Sequence, residues 1–585
     1  MKRSLTGSTS DAFSHPKNVD LARMPSKRRD EVKSAAERPK MLSRTANPLA
    51  SKECRRSPLA ASRQPSVVRG APTDCLTRRH SWPIRESTFT LQRPANSGTA
   101  RPKLRYSRAG MEYLVVPSTW LASRSFVAAV VHVLIAVAVT VHTLINKRDV
   151  PAAIGWIGMA WLAPVVGALL YVGFGINRVK RRARRLKGSL RNVDPHRASG
   201  MASSDPIEHL KIAITKITSQ DISTGKVAAV LACGDEAYPR MLAAIEGAKV
   251  SIALSTYIFR TDALGLQFVD ALARAHRRGV ATRVLIDGFG GGFVRSSAYR
   301  CLRGQGVPVA RFLHSTLPWQ MPFLDLRLHK KSLIVDGISA FVGGLNIGAE
   351  NLLESQPKAP VRDLHFLVEG AVVRQIAQQF EDDWSFTTGD AQTESKPSPD
   401  AASGEKDAAR AIAAGPDQEV DQLVLVLLSA INLAQQSIRI ATPYFVPEEQ
   451  LVTALQLAAL RGVDVQLVLP AAINHRLVAW AVRTHVRPLL QSGCRLWRAP
   501  PPFDHSKLMT IDGKWSLVGS ANWDMRSLRL NFELTLETYD PAFASRLSAI
   551  IDARRARPVT LAEIDGRRFV VKLRDAAARL TTAYI

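Results

Sequence analysis

Two stretches of the chain, 126–145 and 152–176, carry no charged side chain, and each is long enough as a helix to cross the roughly 30 Å hydrocarbon core of a bilayer. Little more than Asn146, Lys147, Arg148, Asp149 and Val150 separates them, so the pattern predicts a tight two-helix transmembrane hairpin, helices 126–145 and 152–176 within a segment 111–177. Arg178, Lys180, Arg181, Arg182, Arg184, Arg185 and Lys187 follow the second run, against two basic residues in the turn. The positive-inside rule then puts this connector, 178–201, and both termini in the cytoplasm.

From about residue 202 the pattern becomes an alternation of strand-like and helix-like segments, and it is written twice. Ser251, Ile252, Ala253, Leu254, Ser255, Thr256 and Tyr257 are echoed by residues 437–443; a helical stretch 265–278 and a strand 279–284 are echoed by 451–461 and 462–467. Strand, helix and strand at matched distance predict an internal duplication of an α/β unit, with residues 202–386 and 421–585 as the two copies and one cleft between them. Residues 387–420, full of Asp, Ala, Ser, Pro and Gly, read as a flexible linker.

Charge changes the picture at the N-terminus. The chain of 585 residues has a formal net charge of +29, and residues 1–110 hold 24 Lys and Arg against 8 Asp and Glu. That segment lacks apolar periodicity and is expected to be a disordered basic extension, able to meet anionic lipid or nucleic acid, or to lie upstream of a start at Met111. Cys54, Cys75, Cys233, Cys301 and Cys494 show neither paired nor metal-like spacing, which fits a reducing compartment.

The chemistry lies in a second repeat. His329, Lys331 and Asp336 stand at the same spacing as His505, Lys507 and Asp512, and Gly343, Gly344 and Asn346 follow as Gly519, Ser520 and Asn522 do. On a strand, positions i and i+2 share a face, so each copy offers an imidazole and an ammonium to one space. Such a pair suits phosphoryl transfer: one His attacks phosphorus, a second protonates the leaving oxygen, and the lysines stabilise the non-bridging oxygens. A zinc site is the rival, but Lys is no ligand and repels a cation, so neither metal nor cofactor is expected. Asp336 and Asp512 complete the catalytic pattern, with a structural role expected for them. An imidazole also needs a partner on its other nitrogen. A carboxylate recurs about thirty residues after each His, and the reading is that Asp363 orients His329 and Glu533 orients His505, with Asn346, Asn522 and Ser520 in support. Gly288, Gly290, Gly291 and Gly292 could cradle phosphate or simply turn beside the cleft; Tyr444 and Phe445 could line a lipid path or pack in the core.

These motifs resemble the phospholipase D superfamily. More narrowly, Arg362-Asp363-Leu364-His365, the run from Thr442 to Pro447, and Gly519-Ser520-Ala521-Asn522-Trp523-Asp524-Met525-Arg526-Ser527 followed by Asn531-Phe532-Glu533 are similar to bacterial cardiolipin synthases. Three departures stand out: Gly344 opposite Ser520, Asp325 where Asn is frequent, and His485 where Tyr is usual. The resemblance implies two phospholipase D-like domains sharing one site and a plasma-membrane phosphatidyltransferase. It would make cardiolipin from phosphatidylglycerol, or with phosphatidylethanolamine as donor, through a phosphatidyl intermediate on His329, His505 serving as acid and base. Hydrolysis of phospholipid or nucleic acid, and a non-catalytic protein binding anionic lipid, are the alternatives; nucleic acid is not the expected partner.

Overall fold

The computed structural model describes residues 118–147, 150–175, 204–292, 295–314, 326–390, 408–415 and 421–580. The basic extension, the connector 178–201, Asp325 and most of the 387–420 segment therefore lie outside the described residues.

The first apolar run is a helix, Ser118–Asn146, whose part Phe126–Asn146 is the one helix among the described residues long and apolar enough to cross a membrane. The second run is not one helix. It is helical over Val150–Leu162 and Pro164–Leu170, breaks at Ala163 (φ −144°, ψ 75°), and ends in a π-helical turn, Tyr171–Gly175. Pro164 accounts for the break, since it has no N–H to give Ala160 and its ring crowds that carbonyl. The predicted second uninterrupted helix is thus corrected to a broken one. The two runs still lie together: Trp161 Nε1 donates to Thr140 Oγ1 (3.1 Å), and His142 Nδ1 and the Tyr171 hydroxyl are 2.7 Å apart.

Beyond them lie two mixed sheets of matching topology. The first runs, edge to edge, Lys226–Ala232, Leu364–Glu369, Ser339–Gly343, Ser332–Val335, Ser251–Thr256, Ala281–Asp287, Val309–Phe312. The second repeats that order as Ala408–Ala414, Glu533–Thr538, Trp515–Gly519, Leu508–Ile511, Ser437–Ala441, Asp464–Pro470, Arg495–Ala499, and adds Ser223–Thr224 and Arg557–Pro558 at its edges. The duplicated α/β reading holds strand by strand. Each sheet buries its outer face under helices, such as Ala263–Arg277 in one half and Glu449–Leu460 in the other. A third core is shared: Leu364, Phe366 and Val368 of the first half pack in one cluster with Leu534, Leu536 and Phe543 of the second.

Two boundaries differ from the sequence expectation. The 387–420 segment is not all linker, because Ala408–Ala414 is a strand paired antiparallel to Glu533–Thr538, Arg410 facing Glu537. Its small residues hide the alternation, and its arginine is buried only because Glu537 lies 2.8 Å away, both side chains being fully shielded from solvent. The first half likewise does not begin at 202. The Pro206–Thr218 helix buries Leu210 and Ile214 in the core of the second half, and Ser223–Thr224 pairs with Ala408–Ala409, so the first sheet starts at Lys226.

Candidate active site

Each catalytic-type motif is a β-hairpin. Ser332–Val335 pairs with Ser339–Gly343, and Leu508–Ile511 with Trp515–Gly519, through turns in which Asp336, Gly337, Asp512 and Gly513 all have positive φ. Asp-Gly suits such a turn because Asp tolerates the left-handed region and Gly adopts it freely. The aspartates then act away from the histidines. Asp336 accepts the N–H groups of Lys249, Val250 and Ser251, and Asp512 those of Gln435, Gln436 and Ser437, which ties each turn to the start of the neighbouring strand. Neither belongs with the groups that meet substrate; their role is structural.

At the other end of the hairpins the two halves are stitched together. Leu328 bridges Phe532 in parallel, with His329 N–H donating to Phe532 O (2.9 Å), and Phe503–Asp504 pairs with Val361–Arg362, with His505 N–H donating to Arg362 O (2.7 Å). Each histidine is thereby set beside the carboxylate of the opposite half. His329 Nδ1 lies 2.9 Å from Glu533 and His505 Nδ1 lies 2.8 Å from Asp363. The expected pairing of Asp363 with His329 and Glu533 with His505 is therefore corrected to the crossed one. Sequence distance pointed to the wrong partner because the carboxylate strands enter the site through the interface. With Nδ1 engaged in both rings, Nε2 is the nitrogen left for chemistry.

The carboxylates are held unequally. Ser520 Oγ donates to Glu533 (2.5 Å), and Asn531 Nδ2 reaches its other oxygen (3.1 Å). Gly344 occupies the position equivalent to Ser520, and a Cβ there would fall 2.2 Å from an Asp363 oxygen, so the shorter carboxylate fills the space that a side chain would take. Asn346 Oδ1 accepts the Ile258 N–H (3.2 Å), and Asn522 hydrogen-bonds Asp524; both brace loops at the site.

Lys331 Nζ donates to the His329 carbonyl (2.6 Å) and sits 5.3 Å from the centre of the Tyr257 ring, which lies edge-to-face with the His329 ring at 5.2 Å between centroids. Lys507 Nζ donates to the His505 carbonyl and lies 2.9 Å from His505 Nδ1. Since an ammonium only donates, a ring that gives its Nδ1 hydrogen to Asp363 feels Lys507 as a repelling charge.

Burial and like charge set the protonation of the site. Burial, opposed by Glu533 and helped by Lys331, lowers His329 to about 4; burial and then Lys507 lower His505 to about 3. Burial likewise lowers Lys331 to about 7 and Lys507 to about 8 against the pull of Glu533 and Asp363. Burial would raise both carboxylates, but Lys507 and His505 hold Asp363 below its ordinary value, and His329, Lys331 and Ser520 do the same for Glu533. At neutral pH both imidazoles are unprotonated between anions that stay ionised. An anion bound between the two rings would raise both and let one of them take up a proton.

Several positioning residues were not legible in the sequence. Asp287 is buried; it accepts the Phe289 and Gly290 N–H groups on one oxygen and that of Leu328, just before His329, on the other. With Gly288 N–H on Phe312 O, Gly291 N–H on Asp287 O and Gly292 N–H on Phe289 O, every amide of the 288–292 loop is engaged internally, which removes the phosphate-cradle reading. Lys330 forms a buried ion pair with Asp383 (2.6 Å). Tyr444 lies beside His505 (ring centroids 6.2 Å), whereas Phe445 is fully buried on Trp523; one aromatic faces the site and the other packs the core. His485 is held neutral by burial, lowered to about 4.

Both halves are similar to known proteins. A family model described as "Cardiolipin synthase, PLD-like domain" matches residues 241–384 and 427–555, one segment in each half. A cardiolipin synthase of Geobacillus kaustophilus is 32% identical over 453 residues, covering 74% of this chain and 89% of the relative. Cardiolipin synthase A of Pseudomonas fluorescens is 31% identical over 455 residues, 75% of this chain and 94% of that one. Among solved structures, the phosphatidylserine synthase of Haemophilus influenzae aligns over its whole length and 64% of this chain with a TM-score of 0.50 at 15% identity, a likeness of fold.

Proposed function

This chain belongs to the cardiolipin synthase family of phospholipase D-like enzymes, and we propose that it is a membrane-bound phosphatidyltransferase making cardiolipin from phosphatidylglycerol. The observation that carries the reading is the two crossed pairs, His329 with Glu533 and His505 with Asp363, flanked by Lys331 and Lys507 in one largely buried site.

In the proposed first step His329 Nε2 attacks phosphorus of one phosphatidylglycerol, the bond to its headgroup glycerol breaks, and His505 gives that oxygen a proton. In the second, His505 takes the proton from a hydroxyl of another phosphatidylglycerol, whose oxygen displaces His329 and completes cardiolipin. Glycerol is the co-product. Phosphorylated His329 carries positive charge, and Glu533, fixed by Ser520 and Asn531, is the better anchored anion to hold it; this supports His329 as nucleophile. Lys331 and Lys507 stabilise the phosphoryl oxygens.

We propose further that 126–145 and the broken run 152–176 form a hairpin in the bacterial plasma membrane with both catalytic halves cytoplasmic, supported by the basic residues from Arg178 to Lys187. Residues 1–110 are proposed to take no part in catalysis. Labelled phosphatidylglycerol given to the purified chain in liposomes tests the reaction: cardiolipin with free glycerol is expected. Dominant phosphatidic acid would make the protein a hydrolase, and DNA cleavage without lipid turnover would make it a nuclease.

A further inference from the structure

Among the described residues, none packs against one apolar face of the Phe569–Arg579 helix. Its inner face packs on the Arg476–Gln491 helix: Ala578 joins the core of the second half, Arg574 lies 4.4 Å over the Trp480 ring, and Asp575, 1% exposed, is 3.8 Å from Arg483. On the opposite side Phe569, Val570, Leu573, Ala576, Ala577 and Leu580 fall within one arc of about 120° at helical spacing. All six are exposed, and Phe569, Val570, Leu573 and Leu580 present 77%, 73%, 58% and 78% of their surface. Exposed Arg568, Lys572 and Arg579 line one edge of this arc, and the one acid of the helix is the buried Asp575.

We propose that this face docks on the surface of an anionic lipid bilayer. A bilayer interface takes both parts of the pattern, the apolar arc entering the acyl boundary while the basic edge meets anionic headgroups. The position in the fold favours the same occupant. The Arg476–Gln491 helix that carries this face starts beside the site, where the Tyr444 hydroxyl donates to Asn474 (2.7 Å) and the ring lies 5.8 Å from His475. Arg476 and Leu477 are exposed at that end. The chain also carries a helix, Phe126–Asn146, long and apolar enough to cross a bilayer. The inference rests on this surface and not on the reaction assigned above, so the two can fail separately.

The test places the photo-crosslinker p-benzoylphenylalanine at position 569 of the full chain, reconstituted in vesicles of phosphatidylglycerol and phosphatidylcholine. Lipid adducts at this position, reduced several-fold in vesicles of phosphatidylcholine alone, are expected. Crosslinks to a second copy or to another segment of the same chain, or no adduct, would overturn the proposal. As a second measurement, the double variant Phe569→Glu, Leu573→Glu should lose about tenfold or more in turnover on vesicles while staying within about twofold in mixed micelles, where substrate reaches the cleft without docking. Unchanged turnover on vesicles, or equal loss in both media, would count against it.

Discussion

His505 gives its Nδ1 hydrogen to Asp363, 142 positions earlier in the chain and in the opposite half, while His329 pairs in the same way with Glu533, 204 positions later. Neither half can orient its own imidazole. Both histidine–carboxylate pairs form where the two parallel bridges, Leu328 to Phe532 and Phe503–Asp504 to Val361–Arg362, close the interface.

The crossed pairing predicts crossed mutational effects. In a His505→Ala background the phosphatidyl adduct on His329 should still form slowly. Adding Glu533→Gln should slow its formation at least about a hundredfold, because the imidazole loses the anion that fixes its tautomer. Adding Asp363→Asn should change little, since its partner is already gone. Adduct trapped by rapid quench and read by mass spectrometry decides between them, and the opposite order would restore the pairing within each half.

His329→Ala and His505→Ala should each abolish transfer in a protein that still inserts and folds, since nucleophile and acid/base are both required. Lys331→Ala and Lys507→Ala should lose at least about a hundredfold in kcat/KM. Turnover should survive EDTA, because the two ammonium groups disfavour a cation in the site; loss on chelation with recovery on adding zinc would contradict this.

Lysines held near about 7 and about 8 move the alkaline limb of the pH profile far below the ordinary lysine value. Their stabilising charge is present below those values and is lost as pH rises through them, so the fall of kcat/KM should steepen above about pH 7. Below about 4 His329 becomes protonated and can no longer attack, and because His505 must gain its proton as substrate binds, kcat/KM should decline with rising pH above that value. Bound phosphodiester raises the lysines, so the alkaline limb of kcat should lie above that of kcat/KM. A kcat/KM profile flat to pH 10 would refute this electrostatic picture.

Arg410 and Glu537 make a stability prediction for the strand inside the 387–420 segment. Arg410→Ala should destabilise the protein by about 3–5 kcal/mol by leaving a buried carboxylate unpaired. Burial already raises Glu537, and without Arg410 it rises further above its unfolded value. The loss should therefore be smallest in acid, where the carboxyl is protonated in both states, and grow as pH rises. Thermal unfolding in detergent at pH 5 and pH 8 measures it. Deleting 391–407 should be tolerated far better than deleting Ala408–Ala414.

Starting the chain at Met111 should leave membrane insertion and transfer intact, because the apolar runs carry their own targeting information. A truncated protein that inserts but makes no lipid would give the basic segment a function.

The sequence by itself determined the family, the duplication and a helix long and apolar enough to cross a bilayer. His329, Lys331, His505 and Lys507, the echoed strand, helix and strand, and the uncharged 126–145 run are written in local spacing, and local spacing fixes which side chains share a face. What only the tertiary structure decided was everything that crosses between segments. The exchange of Asp363 and Glu533, the use of Asp287 to hold the strand before His329, the burial of Arg410 against Glu537, and the Pro206–Thr218 helix serving the second half all depend on partners far away in the chain. No periodicity encodes such pairs, because each side chain is stabilised by a neighbour that the folded interface alone supplies.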